Sequence, residues 1–342
     1  MGGIALSVFM QDITEQPHSI AELLKKSASI RKKADGISHR RVLFTGMGAS
    51  LFACQPAVLL LRSRQLDAEF IELSELVWYE ASHAMDYYDT VVFVSQSGES
   101  AELINLLERF PAFIEKSVLV TNNPRSKSAL LIPEERVFEI FAGEERAMGA
   151  SKTFLNTALL LLVLASEWSG EQIPLNTITE CVEKGLKLEI DSLTKAIESS
   201  KLPIIVARGF SLGVAQMIRL MLAEIPKRNV EVFSGGAFRH GPLELLENDP
   251  MVIVMNPEGK TSHLMDKLAD ELSGKCPVVM LTNSASEYNP DIHVIRTGTG
   301  LTEELAPLTF LVPFQRVANE LAQRAGYNPG EGVHAAKVTR VE

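Results

Sequence analysis

The sequence predicts an α/β protein with two tandem domains, each a five-stranded parallel sheet flanked by helices in a doubly wound, flavodoxin-like arrangement. Short β-branched apolar runs alternate with helical patterns along the whole chain. Three strand ends also recur at one constant offset of 161 residues. Continuous apolar strands that alternate with helices are typical of parallel sheets covered on both faces.

Nine apolar runs are predicted to be strands, five in the first half of the chain and four in the second. They cover residues 41–45, 68–73, 90–94, 117–121 and 137–141, and then 203–207, 251–255, 277–282 and 292–296. The longest apolar stretch, residues 158–165, is too short to span a bilayer. It predicts a fully buried helix instead.

The constant offset indicates a duplicated domain, because matching residues follow matching strands. In open parallel sheets, ligands bind at the carboxyl ends of strands, where all three matched points lie. We expect a helical N-terminal segment at 1–30, domains at 31–167 and 201–325, a helical linker at 168–200 and a tail at 326–342. The matched residues are Gly48 and Gly209, Gly98 and Gly259, and Thr121 and Thr282.

Composition narrows the class of protein. The chain has 342 residues, 46% of them hydrophobic, as in globular proteins with full cores. A net charge of −10 argues against a nucleic-acid or anionic-membrane partner. Cys54, Cys181 and Cys276 have no metal-like spacing. Residues 1–6 have neither a basic region nor a long apolar segment. We therefore expect a cytoplasmic protein with no metal and no cofactor.

The most informative motif is the hexapeptide Ser95-Gln96-Ser97-Gly98-Glu99-Ser100, here called the hydroxyl turn. It follows a predicted strand and precedes a predicted helix. This order places hydroxyls and backbone N–H groups at the positive end of a helix, which suits a phosphate. Ser100 alone could be an ordinary N-cap. The matching turn of the second copy, residues 256–261, contains Pro257 and Glu258, which remove an N–H and repel anions. The phosphate site is therefore predicted in the first copy.

Together with the glycine turn Gly46-Met47-Gly48-Ala49-Ser50, the hydroxyl turn resembles the sugar isomerase (SIS) domain family. The doubled arrangement resembles the isomerase half of glucosamine-6-phosphate synthase and stand-alone phosphosugar isomerases, amino-sugar-phosphate deaminases and fructosamine-6-phosphate deglycases. The resemblance covers nearly the whole chain. It includes residues 12–17, 149–154, 238–243 and 336–339.

The resemblance implies roles for particular residues. The catalytic base is a glutamate sixteen residues before the histidine of His-Gly-Pro, which implies Glu224 and His240. His240 is assigned to ring opening in the site of a neighbouring subunit, so a homodimer is implied. Lys337 is the tail lysine that reaches back over the sugar. Phosphate binding is implied for Ser50, Ser95, Gln96, Ser97 and Ser100, and further substrate contacts for Met47, Gly48, Ala49, Ala150, Ser151 and Lys152.

Each catalytic candidate also has a purely structural interpretation. Glu224 ends a predicted helix before Pro226 and could be a solvated helix end. A partly desolvated carboxylate, however, is suited to moving a proton between adjacent carbons. His240 follows a glycine-rich stretch and could be a surface histidine. Lys337 could belong to a frayed terminus.

At two positions the sequence departs from the pattern of glucosamine-6-phosphate synthase, which argues against synthase activity. Met221 stands where the synthase has a lysine, and Ala49 replaces a threonine of the glycine turn. The chain begins with the isomerase-like part, so we expect no glutaminase and no synthase activity.

The expected function is a phosphosugar isomerase-type reaction on a hexose 6-phosphate or amino-sugar 6-phosphate, coupled to deamination or deglycation. One alternative is a non-catalytic sugar-phosphate-binding regulator. Nucleotide binding by Gly46-Met47-Gly48 is disfavoured, because the third glycine of the dinucleotide pattern is missing.

Overall fold

The computed structural model describes residues 6–334 and Lys337. The outer ends of the predicted N-terminal segment and tail lie outside these residues. The chain divides into two compact units, and the predicted domain boundaries stay a prediction. The first-sheet unit comprises His18–Glu145, Ala150–Ile173 and Gly332–Glu342. The second-sheet unit comprises Met1–Pro17, Arg146–Gly149 and Pro174–Glu331.

Each unit contains one five-stranded parallel sheet, as the sequence predicts. The first sheet has the strand order β2-β1-β3-β4-β5 and the second has β10-β9-β8-β6-β7. Counted from its own first strand, each sheet has the same order, so the duplication extends to the topology. The strands are β1 Arg41–Gly46, β2 Asp67–Glu72, β3 Thr90–Val94, β4 Ser117–Thr121, β5 Val137–Glu139, β6 Leu202–Ala207, β7 Glu231–Ser234, β8 Pro250–Asn256, β9 Val278–Thr282 and β10 Ile292–Arg296.

Helices connect and cover the strands. They are α1 Val8–Thr14, α2 Gln16–Asp35, α3 Ala49–Ser63, α4 Leu73–Glu75, α5 Ala81–Tyr87, α6 Ala101–Arg109, α7 Lys127–Leu131, α8 Lys152–Ser169, α9 Ile178–Gly185, α10 Asp191–Ser199, α11 Ser211–Glu224, α12 Gly235–Phe238, α13 Ser262–Leu272 and α14 Ala306–Arg324. Short segments of 3₁₀ or π helix cover Leu76–Glu80, Pro111–Lys116, Glu134–Arg136 and Pro242–Asn248.

The apolar runs bury their side chains where the pattern predicts. Every residue of β3, β4 and β8 is buried. The predicted buried helix is α8, in which all residues from Ala158 to Ala165 are buried. Among the described residues, no helix is both long enough and apolar enough to cross a membrane.

One strand was not among the predicted runs. β7 is the edge strand of the second sheet, and its four residues are only half-buried. A half-exposed edge strand has no need for a continuous apolar run, so the periodicity signal is weak.

Candidate active site

The glycine turn and the hydroxyl turn follow neighbouring strands of the first sheet. β1 and β3 are neighbours, whereas the chain leaves β1 through α3 toward β2 on the other side. Ligands bind at such a reversal of strand order. The two turns are close, because a Cβ added to Gly46 would lie 2.8 Å from the carbonyl oxygen of Val94.

The serines of the hydroxyl turn form an ordered set of hydroxyl groups. The Oγ atoms of Ser95 and Ser100 lie 2.8 Å apart, and Ser95 Oγ also accepts the N–H of Gly98 at 3.1 Å. Ser97 Oγ accepts the N–H of Glu99 at 3.1 Å. Ser100 occupies the N-cap position of α6, but its side chain makes no capping bond. Its hydroxyl is thus directed to Ser95 rather than to the helix backbone.

Neighbouring β4 fixes the backbone of the hydroxyl turn. The carbonyl of Gln96 accepts the N–H of Asn122 at 2.9 Å and the hydroxyl of Thr121 at 3.3 Å. Within the described part of the chain, the N–H groups of Gln96 and Ser97 have no hydrogen-bond acceptor. Two hydroxyl-flanked N–H groups near the start of α6 are the donors that a phosphate needs.

The glycine turn presents the other predicted phosphate ligand. Gly48 has a left-handed φ of +50°, and the N–H of Ser50 donates to the carbonyl of Met47 at 3.0 Å. Residues Met47, Gly48, Ala49 and Ser50 are all partly exposed. The structure therefore brings Ser50 and the serines of the hydroxyl turn to one edge of the first sheet.

Ala150, Ser151 and Lys152 lie at the start of α8. Ser151 and Lys152 are buried, at 0% and 1% exposure. Glu145, which the sequence reasoning missed, accepts hydrogen bonds from Ser151 and Thr153. The ammonium of Lys337 donates to the main-chain oxygen of Glu145 and lies 3.7 Å from its carboxylate. No periodicity distinguishes Glu145 from exposed Glu144 beside it, so the sequence alone carries no signal for it.

Glu224 is the last residue of α11 in the second-sheet unit and is partly exposed. The backbone of Gly149 lies close to Glu224. A Cβ added to Gly149 would lie 3.6 Å from Glu224 Oε2 and 2.7 Å from Ile225 Cδ1. Met221, one turn earlier on α11, is fully buried. A side chain at residue 149 would therefore have to displace the tip of Ile225.

Two contacts hold the segment Arg146–Gly149 beside Glu224. Buried Asp12 accepts the N–H groups of Arg146 and Ala147 at 2.9 and 2.8 Å. The carbonyl of Gly330 accepts the N–H of Met148 at 2.8 Å. Asp12 lies in the entry segment of the resemblance, but nothing in the sequence assigned this contact to it.

His240 lies on the short segment after β7. Ser234 caps α12 by accepting the N–H of Ala237 at 3.1 Å, and the N–H of His240 donates to the carbonyl of Ala237 at 3.0 Å. Arg239 pairs with Glu271 at 2.5 Å. His240 is exposed, so its ring is available to a ligand or to another chain.

Glu224 and His240 occupy opposite edges of the second sheet. β6 and β7 are parallel, and α11 connects them, so α11 begins at the carboxyl edge and Glu224 ends it at the amino edge. His240 follows β7 at the carboxyl edge. A helix of 14 residues is about 21 Å long. The two side chains therefore do not share a site within one second-sheet unit.

A carboxylate of the protein lies in the turn of the second copy that matches the hydroxyl turn. The carboxylate of Glu303 accepts the N–H of Lys260 at 2.9 Å. A Cβ added to Gly259 would lie 2.2 Å from Glu303 Cδ. The Glu303 carboxylate thus occupies this turn, and phosphate binding by the first copy stays a prediction.

Among residues 6–334 and Lys337, no cluster of three or more histidine, cysteine, aspartate or glutamate side chains could hold a metal ion. Cys54 is fully buried, and burial raises the pKa of its thiol. A protonated, inaccessible thiol is a poor nucleophile.

Comparison with known proteins identifies the family. The SIS domain model matches residues 37–166 and 197–320. The chain therefore belongs to the SIS domain family.

Glutamine–fructose-6-phosphate aminotransferase (isomerizing) of Thermococcus kodakarensis is 26% identical over 349 residues, which cover 97% of this chain and 58% of that protein. The chain thus spans little more than half the length of this relative. The C-terminal domain of the Francisella tularensis glucosamine-fructose-6-phosphate aminotransferase has the same fold, with a TM-score of 0.80 at 19% identity over 96% of this chain and 98% of that one. Glucosamine-6-phosphate deaminase of Thermotoga maritima has a TM-score of 0.72 at 19% identity, over 97% and 99% of the two chains.

Proposed function

We propose that this protein is a phosphosugar isomerase-type enzyme that acts on a hexose 6-phosphate or an amino-sugar 6-phosphate. The observation that carries the proposal is the hydroxyl turn: serine hydroxyls and unpaired N–H groups at a strand-order reversal, in a chain of the SIS domain family. Relatives named as aminotransferase (isomerizing) and deaminase support a sugar-phosphate substrate.

The phosphate group is held by the hydroxyl turn together with Ser50. Ser95, Ser97 and Ser100 offer hydroxyls, and the backbone of Gln96 and Ser97 offers N–H donors. The positive end of α6 adds favourable electrostatics for an anion. This anchoring fixes one end of the substrate and leaves its C1–C2 end to the catalytic residues.

Glu224 is the general base. Its carboxylate removes the proton from C2 of the open-chain aldose, and an enediol forms as the carbonyl oxygen takes up a proton. Glu224 then returns the proton to C1 while the C2 hydroxyl gives up its proton, which gives the ketose. If C2 carries nitrogen, the same transfer gives an imine, which water hydrolyses with release of ammonia or an amine. The ammonium of Lys337 stabilises negative charge that develops on the carbonyl oxygen.

His240 opens the sugar ring in the site of a second copy of the chain. The placement of Glu224 and His240 at opposite edges of one sheet supports this division between two chains. A homodimer is therefore part of the proposal.

The test is hydrogen exchange in deuterated water. We expect the parent protein to exchange the C1 or C2 hydrogen of fructose 6-phosphate, glucose 6-phosphate or glucosamine 6-phosphate, and Glu224→Gln to lose at least 100-fold in rate, because a general base typically contributes that much. Glu231→Gln, a similarly half-buried carboxylate of the same unit, is the matched control and should exchange normally. A parent protein that exchanges none of these hydrogens contradicts the enzyme proposal.

The second candidate function is a non-catalytic sugar-phosphate-binding regulator, which the same hydroxyl turn would also serve. A thermal-shift screen against phosphorylated ketoses, amino sugars and fructosamines separates the two when it is combined with the exchange assay. A ligand that binds only the native state raises the unfolding temperature. Stabilisation without exchange would favour the regulator.

A further inference from the structure

We propose that the buried carboxylate of Glu145 is a positioning residue that holds the ammonium group of Lys337 in place for the reaction. The proposal rests on the proposed function, in which Lys337 acts on the substrate. It adds a residue that neither the sequence pattern nor the resemblance assigned.

Glu145 is a buried charge with an almost complete set of partners. The residue is 6% exposed. Its Oε1 accepts the N–H and the hydroxyl of Ser151 at 2.8 and 3.1 Å, and the N–H of Thr153 at 3.1 Å. Its Oε2 accepts the hydroxyl of Thr153 at 2.5 Å. These bonds fix the carboxylate against the start of α8, whose N-cap residue Ser151 makes no capping bond of its own.

Lys337 meets this fixed carboxylate from a position 192 residues later in the chain. Its ammonium donates to the main-chain oxygen of Glu145 and lies 3.7 Å from Oε2. The lysine side chain is 27% exposed and that of the glutamate 1% exposed, so the pair is screened by water on one side only. Partly buried pairs attract each other more strongly than exposed ones.

The two carboxylate oxygens of Glu145 have different partners. Oε1 accepts the main-chain N–H groups at the start of α8, whereas Oε2 accepts the Thr153 hydroxyl and is the atom near Lys337. Glu145→Gln separates the two roles: the amide oxygen can still accept the N–H groups of Ser151 and Thr153, while an NH₂ group replaces the charge that attracts Lys337. A neutral amide of the same shape should preserve the fold better than alanine.

The kinetic test is a double-mutant cycle between Glu145→Gln and Lys337→Met. We expect Glu145→Gln to lower kcat about tenfold with little change in KM, since phosphate anchoring is separate from Lys337. In the Lys337→Met background, Glu145→Gln should lower kcat less than twofold, because the contact between Glu145 and Lys337 is already lost. Glu144→Gln, an exposed neighbour, is the control and should match the parent.

Losses in kcat that multiply in the double variant would overturn the proposal, as would an unchanged kcat in Glu145→Gln. Equal unfolding midpoints of parent and Glu145→Gln would show that the fold is intact.

A second test does not depend on turnover. Trypsin cleaves after lysine only when the side chain can enter the protease pocket, so a held Lys337 should be cut slowly. Intact-mass analysis should show loss of the five terminal residues several-fold faster in Glu145→Gln than in the parent or in Glu144→Gln. Equal cleavage rates would overturn the proposal. A parent without hydrogen exchange would reject the proposed function alone, and the cleavage rates would still decide whether Glu145 holds Lys337.

Discussion

Gly98 has a left-handed φ of +64° in the middle of the hydroxyl turn. A Cβ at this position would lie 2.0 Å from Ser126 Oγ. Ser126 is itself buried and caps α7 by accepting the N–H of Ala129. The side chain at residue 98 therefore decides whether the serines around it can keep their hydrogen bonds.

We predict that Gly98→Ala destabilises the protein by about 2–4 kcal/mol, because left-handed backbone strain adds to overpacking against Ser126. Chemical denaturation measures the free energy of unfolding. Gly143→Ala is the matched control: Gly143 has a φ of +68° but no atom within 4 Å of the added Cβ. It should lose only about 1 kcal/mol from backbone strain. Equal losses in both variants would contradict the role assigned to Ser126.

At the scale of elements, a buried polar residue of the largely apolar helix α8 connects it to neighbouring segments of the first-sheet unit. Asn156 is fully buried and donates to the carbonyls of Ser19 and Ile140 at 2.9 and 2.8 Å. It also accepts the hydroxyl of Ser19 at 3.1 Å. A single amide thus ties α8 to α2 and to the segment after β5.

Asn156→Leu should lower the free energy of unfolding by about 2–4 kcal/mol, because it removes the three hydrogen bonds that this buried amide makes to Ser19 and Ile140. Thermal or chemical unfolding provides the measurement. Thr157→Val on the same helix is the control, because the Thr157 hydroxyl makes no hydrogen bond within the described residues. A loss in Asn156→Leu no larger than in this control would refute the assignment.

β5 carries a pH-dependent contribution to stability. Burial raises the pKa of the Glu139 carboxyl above its ordinary value, and nearby Lys26 opposes the shift. A raised pKa in the folded state means that ionisation of Glu139 costs stability, and that this cost is absent at low pH. We expect Glu139→Gln to unfold at a higher temperature than the parent at pH 8, with the difference shrinking toward pH 5. A difference that is constant across this pH range would contradict the prediction.

At the scale of the whole molecule, the strand order of the second sheet separates two residues that the resemblance assigns to one reaction. Glu224 and His240 are only sixteen positions apart in sequence. Strand β7 lies between them and carries the chain from the amino edge of the sheet to the carboxyl edge. Under the proposed function, each chain therefore offers its glutamate and its histidine to different sites.

This arrangement predicts complementation between inactive variants. Glu224→Gln and His240→Asn should each be nearly inactive alone, whereas a mixture allowed to exchange subunits should recover about a quarter of the parent activity. One site of each hybrid dimer then has an intact glutamate from one chain and an intact histidine from the other. Steady-state turnover after subunit exchange measures the recovery. If both residues acted within one chain, the mixture would stay inactive.

The sequence predicted the parts of the fold that have local signals. Apolar runs located nine of the ten strands, and the helical pattern at 158–165 located the buried core of α8. The observed strand boundaries differ from the predicted ones where the backbone leaves the extended conformation. The strand predicted at 137–141 ends at Glu139, because Phe141 takes a left-handed φ of +52°. β7 was missed, since an edge strand is only half-buried and needs no apolar run.

The sequence by itself determined the family, the doubled α/β plan and the hydroxyl turn with its serines. The family follows from the resemblance of motifs such as the glycine turn and the hydroxyl turn, whereas the α/β plan follows from hydrophobic periodicity and from a local pattern that repeats at an offset of 161 residues. Only the tertiary structure decided which residues support the candidates: Asp12 beside Arg146–Gly149, Glu145 beside Lys337, and Glu303 in the second turn. These contacts join residues 43 to 192 positions apart. Such pairs leave no trace in local pattern, because nothing but the packing of the chain brings them together.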